Sequence, residues 1–226
     1  MREVLFASCV PALWIITAIH ILFLALIVSR YAKTKQPIFL LTGMICFGLL
    51  YDALILALGS FMAEGPLLLA LSRMRYVLHG ALIPLIYAIC ACALNLNGWK
   101  KTAVWGLTGI LSVLGIADGC IRTLGVAEVA GVCRYISLSA PAWAETVNTF
   151  LTFGTVIPLM IVGIFVWIKQ KTPRLFLAGF LMFAFSGLGA ACLELMFYIS
   201  MYGEVLMAMF FFLYAEHETR KDTPKH

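Results

Sequence analysis

The sequence has few charged residues: they make up 12% of its 226 positions, whereas soluble globular domains carry about 25%. Eleven Asp and Glu stand against sixteen Lys and Arg, and there are four histidines. Apolar residues of the AVILMFWYC type reach 63%, which is more than a soluble fold of this length can bury. The composition excludes a soluble enzyme, a disordered chain, a fibre and a secreted disulfide scaffold, and predicts a polytopic membrane protein.

Sequence motifs that would assign a chemical activity are also missing. HExxH, GxSxG, Walker and zinc-ligand patterns do not occur, and the four histidines are far apart. Cys90 and Cys92 lack the CxxC spacing of metal sites. The basic residues form no stripe interleaved with aromatic residues, so nucleic-acid binding has no support. We expect no metal, no cofactor and no nucleic-acid partner, and the sequence favours a protein that is not an enzyme without deciding the question.

Long apolar stretches define the predicted architecture, since a helix needs about 20 mostly apolar residues to cross roughly 30 Å of hydrocarbon. Five stretches are clear in the sequence: 10–29, 38–60, 74–94, 102–117 and 150–168. The tract from Arg174 to Tyr214 has about twice the length of one span. It predicts two helices, 174–197 and 203–219, with a turn at Tyr198–Glu204 or, alternatively, at Ser186–Gly189. We therefore predict an all-α, seven-helix transmembrane bundle forming one domain over residues 1–226, with an outer loop at 118–148.

The basic residues predict the orientation of this bundle. Eleven of the sixteen fall in the connections after the first, third and fifth predicted spans and in the C-terminal tail. Cytoplasmic segments of membrane proteins are enriched in Lys and Arg. The pattern predicts an N-terminus outside, a cytoplasmic C-terminus and a multi-pass protein of the plasma membrane. The lipid bilayer is then its first partner, because these cations also attract anionic headgroups.

The predicted outer loop contains two cysteines, Cys120 and Cys133, with twelve residues between them. An oxidising exterior permits a disulfide there, and closing a loop of this size would stabilise the fold by roughly 3 kcal/mol. Two free thiols are the alternative. The polar stretch Ser137–Thr149 at the end of the loop predicts either an interfacial helix or an ordinary loop.

Ionisable residues inside predicted spans are candidates for function, because charge in hydrocarbon is costly. Asp52 lies about 21 Å above the cytoplasmic edge of the second span, and His79 lies about 7–8 Å below the outer edge of the third. In a core of roughly 30 Å these depths agree. Arg75 is one turn above His79 on the same helix face, and Glu194 and Glu204 fall near the same level. These five residues form the predicted ligand- or proton-binding site.

Two interpretations of this group stay open. In the first, Arg75 and a carboxylate form a buried ion pair that fixes helix register. In the second, the group lines a cavity open to the outside, where His79 changes charge near neutral pH. Five ionisable groups exceed what one register lock requires, which favours the second. His20, alone at mid-depth on the first span, is more typical of a core histidine with a local partner than of a ligand-binding residue.

Two short patterns resemble known families. Arg75-Tyr76, with Pro84 nine residues after the arginine, resembles part of the third helix of microbial rhodopsins over about ten residues. This resemblance implies seven helices with the N-terminus outside. The rhodopsin counter-ion carboxylate would fall at Leu78, however, and the last predicted span has no lysine. A retinal Schiff base, and with it a retinal photoreceptor, is therefore excluded.

The segment Phe47-Gly-Leu-Leu-Tyr-Asp52, followed by His79, is similar to lysoplasmalogenase-like membrane hydrolases, although the surrounding motif is absent. That resemblance implies an intramembrane enzyme acting on lipid, with Glu194 as the acid late in the chain. Binding or transport of a small ligand or ion, linked to protons, is the function that the sequence favours. A sensor or assembly subunit is the third alternative, and it requires a partner membrane protein or a homo-oligomer.

Overall fold

A computed structural model of the protein describes residues 2–221; Met1 and residues 222–226, the end of the basic tail, lie outside this range. The chain is mostly helical, at 82%. The helices are α1 (Arg2–Thr34), α2 (Pro37–Leu58), α3 (Pro66–Leu82), α4 (Leu85–Ala93), α5 (Gly98–Ile121), α6 (Ala142–Gln170), α7 (Arg174–Ala190) and α8 (Met196–Lys221). The strands β1 (Thr123–Val129) and β2 (Val132–Ser139) connect α5 to α6.

Six helical segments are long and apolar enough to cross a membrane, and α3 with α4 counts as one of them. The helix α7 is also apolar but shorter, with 17 residues. At about 1.5 Å per residue it would rise about 26 Å, slightly less than the hydrocarbon thickness of about 30 Å. The structure thereby confirms the class that the composition predicts, a helical multi-pass membrane protein.

Several predicted helix bounds change in the structure. The third predicted span, 74–94, begins earlier, at Pro66, and Pro84 separates α3 from α4 because proline has no backbone N–H to donate. The predicted spans 10–29, 102–117 and 150–168 are each longer in the structure, as α1, α5 and α6. Polar residues at both ends continue these helices past their apolar centres, so hydropathy alone shortens them.

The break between the last two helices was predicted wrongly. It lies at Ala191–Leu195, with a 3₁₀ turn at Leu193–Leu195, directly after the alternative break at Ser186–Gly189. Tyr198 and Glu204, which suggested the turn, are buried inside α8. Their polar groups interrupt the apolar pattern because they face the interior of the bundle, not because the helix ends there.

The predicted outer loop, 118–148, is largely a β-hairpin, which an all-α prediction did not include. The strands β1 and β2 pair antiparallel from Thr123 opposite Ser139 to Val129 opposite Val132. Ala130 and Gly131 form the turn with φ values of 55° and 73°, the backbone geometry of tight two-residue hairpins. The polar stretch expected to be an interfacial helix or loop is divided between β2 and the first turns of α6.

The helices pack in a ring in which each contacts the next: α1 with α2, α2 with α3, α3 with α5, α5 with α6, α6 with α7, α7 with α8, and α8 with α1. Two apolar cores fill its interior. One lies toward the end that carries the hairpin, here called the hairpin end, and includes Leu13, Ala57 and Tyr198. The other lies toward the opposite end and includes Phe39 and Phe211.

The contact between α3 and α5 depends on glycine. A Cβ atom placed on Gly80 would overlap the carbonyl oxygen of Gly115, and one placed on Gly115 would overlap the carbonyl oxygen of Gly80. A third glycine, Gly119, lies against the backbone of Val77 in the same way. Small residues permit such close approach of membrane helices. This contact fixes the position of α3, which carries Arg75 and His79.

We expect Gly115→Ala to destabilise the protein by about 1–3 kcal/mol, because the added methyl group meets backbone atoms that cannot rotate away. The measurement is the thermal unfolding midpoint of the purified protein in detergent. Gly109→Ala is the matched control, since it lies on the same helix and has no atoms within 4 Å of its Cβ position. Equal midpoints for the two variants would show that the close contact does not limit stability.

Candidate functional site

The centre of the site is an ion pair between α2 and α3. Arg75 Nε lies 2.8 Å from Asp52 Oδ1, and the two side chains are 10% and 16% exposed. The Arg75 guanidinium also lies over the ring of Tyr76, 5.1 Å from its centroid. Because the pair is largely removed from water, each charge depends on the other for compensation. The geometry of the Asp52–Arg75 pair agrees with the first of the two interpretations above, a buried ion pair that fixes helix register.

Asp52 also lies within electrostatic range of four further ionisable groups. They are His20 on α1, His79 on α3, Arg134 on β2 and Glu204 on α8. The structure therefore brings together four of the five residues that the sequence singled out, and adds two others to them. We refer to Asp52, Arg75, His79, Glu204, His20 and Arg134 as the polar cluster.

Glu194, the fifth predicted site residue, does not lie in this cluster. It is exposed and lies in the 3₁₀ turn between α7 and α8. Met196 begins α8, so Glu194 precedes the helix that carries Glu204, and their ten-residue separation corresponds to about 15 Å along a helix axis. The prediction failed because it placed the helix break after Glu194, whereas the chain turns at Glu194 itself.

Glu204 is the buried carboxylate of the cluster without an ion-pair partner at contact distance among the described residues. The residue is 5% exposed, and its Oε2 has no hydrogen-bond partner among the described residues. Burying a carboxylate oxygen without a donor is costly, whether the group is charged or neutral. Such a group is a candidate for binding something that the protein itself does not supply.

Glu204 and His79 both line a pocket between the helices, with a cavity volume of about 80 Å³. The pocket lies between α2, α3, α4, α6, α7 and α8, and most of its wall is apolar. Thr152, Thr155 and Ser186 add hydroxyl groups. His79 is exposed, so the pocket is not sealed at its position. The pocket thus combines an apolar wall with two ionisable groups.

His20 is fully buried and partly satisfied. Its Nδ1 lies 3.0 Å from the carbonyl oxygen of Ile16, a contact that requires the proton on Nδ1. Its Nε2 has no partner among the described residues. Nδ1 therefore fits the expectation of a core histidine with a local partner, whereas Nε2 is buried without one, and His20 lies within electrostatic range of Asp52.

Arg134 is a member of the cluster that the sequence prediction missed. Its guanidinium lies 3.9 Å from the ring centroid of Phe197. Partial burial and the neighbouring Arg75 lower the pKa of Arg134. The segment around Arg134 is rich in β-branched and aromatic residues, which favour strands. This composition, together with a turn at Ala130-Gly131, predicts a strand over Val132 to Ser139.

A second buried ion pair, also missed, attaches the hairpin to the helices. Arg122 at the end of α5 binds Asp118 through two contacts, of 2.9 and 3.1 Å. Its Nη1 also donates to Ser137 Oγ on β2 at 3.0 Å and lies 3.6 Å from Glu145 on α6. One arginine therefore joins α5, the hairpin and α6, which indicates a structural role.

Cys120 and Cys133 are free thiols in the structure, so the disulfide considered for them is not formed. Cys120 is exposed at the end of α5, whereas Cys133 is half-buried and its N–H donates to the Gly59 carbonyl at 2.9 Å. Burial, then Glu128 and Glu64, raises the pKa of Cys133, which disfavours the reactive thiolate. Among residues 2–221, no three His, Cys, Asp or Glu side chains are grouped to hold a metal ion.

No protein-family model matches this chain, and no curated protein shows significant sequence similarity to it. Evidence for its function therefore comes from the residues of the polar cluster and the pocket.

Removing one partner of the Asp52–Arg75 pair should be far more damaging than removing an exposed pair. We expect Arg75→Met to destabilise the protein by about 3–5 kcal/mol, because Asp52 is left buried without its partner. Glu145→Gln is the control: Glu145 Oε1 lies 3.6 Å from Arg122 Nη1 and Glu145 is 53% exposed, Arg122 keeps Asp118 as its partner, and exposed pairs contribute at most about 1 kcal/mol.

Thermal unfolding in detergent measures both effects. The double variant Asp52→Leu/Arg75→Met should recover part of the loss, since no uncompensated charge remains. If Arg75→Met and Glu145→Gln lowered the midpoint equally, the buried pair would not be the stabilising interaction described above.

Proposed function

We propose that the protein is a seven-span plasma-membrane protein that binds or transports a small ligand or ion, in a proton-linked manner, through the pocket lined by Glu204 and His79. The observation that carries this proposal is the buried, unpartnered oxygen of Glu204 at the wall of that pocket. A pocket with apolar walls and a few convergent polar groups is the usual form of a small-molecule site.

The seven-span topology rests on α7 as the seventh crossing. With α3 and α4 as one span, the connections alternate between the two ends of the bundle. The basic connections around Lys35, Lys100 and Lys171 then share one end, and the hairpin lies at the other. Because Lys and Arg concentrate on the cytoplasmic side, the hairpin and the N-terminus lie outside.

Cysteine labelling of intact cells tests this orientation. A membrane-impermeant maleimide should label Cys120, which is exposed near the hairpin, and Cys120→Ser should remove that signal. In the Cys120→Ser background, Lys171→Cys places a thiol in the exposed turn between α6 and α7. That thiol should react only after the cells are permeabilised. Labelling of Lys171→Cys in intact cells would reverse the orientation or change the span count.

The roles within the site follow from its geometry. Arg75 compensates Asp52 and holds it in register, so this pair shapes the wall behind the pocket. Glu204 offers a carboxylate that can accept a proton or pair with a cation, and its Oε2 has no donor among residues 2–221. His79 provides a second titratable group at the wall of the pocket. Proton linkage is proposed for these two groups, because both face the pocket.

The two alternatives account for less of the geometry. A lipid-acting enzyme was expected to activate water with Asp52 and Glu194, but Glu194 lies in an exposed turn and Asp52 is bound by Arg75. A sensor or assembly subunit with a purely structural cluster would explain the ion pair but not the unpartnered oxygen of Glu204. A homo-oligomer or a partner membrane protein stays a prediction.

Native mass spectrometry of the purified protein tests the binding function. We expect a small molecule to co-purify with the wild type and to be depleted about tenfold or more in Glu204→Gln, because a hydrogen bond to a charged group contributes about 1.5–3 kcal/mol. His79→Ala should have the same direction of effect. Glu194→Gln is the matched control, since it makes the same change outside the pocket.

Uptake of the identified molecule into liposomes, with the internal pH recorded, then separates proton-linked transport from binding alone. The proposal fails if the wild type carries no bound molecule and takes none up. It also fails if the folded Glu204→Gln and His79→Ala proteins bind and transport as the wild type does.

A further inference from the structure

We propose that the ligand of this pocket is a lipophilic amine, an apolar chain that ends in one protonated nitrogen, with the nitrogen bound by Glu204. This inference rests on the proposed function and gives it a ligand class. It depends on three properties of the pocket: the charge of the groups that line it, the character of its walls, and the side on which it reaches the surface.

The charges that line the pocket favour a cation. Among the described residues, the ionisable groups in its wall are Glu204 and His79. Arg75 is the cation within electrostatic range of Glu204, but its guanidinium is bound to Asp52 and it does not line the pocket. An ammonium group supplies both the donors and the positive charge that the buried carboxylate of Glu204 lacks. A ligand carboxylate would instead meet a like charge.

The walls favour a chain that is otherwise apolar. Leu49, Ile83, Ile86 and Met207 surround the inner part of the pocket, and apolar surface buried against them would provide most of the affinity. The hydroxyl groups of Thr155 and Thr152 bond to carbonyl oxygens of their own helix, at 2.6 and 2.9 Å. They are therefore engaged locally and do not call for a second polar group on the ligand.

The position of the pocket favours a ligand that arrives through the bilayer. Phe153 and Phe183 line the pocket, yet they are 51% and 45% exposed, so the pocket reaches the apolar outer surface of the ring near α6 and α7. A soluble polar ligand would have to cross this apolar surface. An amine with a long apolar chain dissolves in the bilayer and reaches such an opening from the side.

A series of head groups on one chain length tests the inference. Dodecylamine, dodecanol and dodecanoate are titrated against the wild-type protein in lipid nanodiscs, and binding is read by native mass spectrometry. We expect dodecylamine to bind about tenfold or more tightly than dodecanol, because an ion pair replaces a neutral contact. Dodecanoate should bind most weakly. This ranking uses the unmodified protein, so it does not depend on any variant folding.

Two variants then locate the preference. Glu204→Gln should remove the advantage of dodecylamine while leaving dodecanol affinity within about twofold, since the chain contacts remain. Glu194→Gln should behave as the wild type, which controls for attraction of amines to any acidic residue. Ser186→Leu narrows the pocket and should weaken all three ligands.

The outcomes distinguish this inference from the proposed function. Equal affinity for all three compounds, or no binding of any, overturns the amine as ligand. A preference for dodecylamine that persists in Glu204→Gln overturns Glu204 as its site. In each case the proposed function is judged separately, by the molecule that co-purifies with the protein and its loss in the pocket variants.

Discussion

One constraint determines much of this structure. The Asp52 carboxylate lies inside an apolar bundle, so other groups of the protein must compensate its charge. Arg75 meets that requirement at 2.8 Å, and the groups around it follow from the same need. His20, His79 and Arg134 all lie within electrostatic range of Asp52, although they come from three different elements. A largely buried charge is stabilised by compensating groups on the elements around it.

This requirement also explains why the interior has two apolar cores and not one. His20 lies between Ile16 and Ile27, which belong to different cores, and Glu204 lies in the same way between Met201 and Met207. The polar cluster is therefore a layer across the bundle, with apolar packing above and below. The pocket opens beside this layer, and Glu204 and His79 belong to both.

Much of this arrangement can be predicted from the sequence. Apolar length identifies the membrane helices, and equal depth along two sequential helices places Asp52 near His79 and Arg75, because both properties depend only on the rise of a helix. Glu194 and Arg134 show where such reasoning ends. Whether a polar residue marks a turn or a buried contact depends on neighbouring helices, so Glu194 was placed in the cluster and Arg134, on an unforeseen hairpin, was missed.

The hairpin helps to fix the position of α3 in the bundle. Tyr76 accepts a hydrogen bond from the Ser137 backbone, Cys133 donates to Gly59, and Gly115 lies against Gly80 on the other side of α3. The helix α3, which carries Arg75 and His79, is therefore held by the hairpin and by α5. On the other side of the pocket, α7 and α8 are connected to each other at the hairpin end by a single short turn. The hairpin therefore holds in place the helix that carries Arg75 and His79.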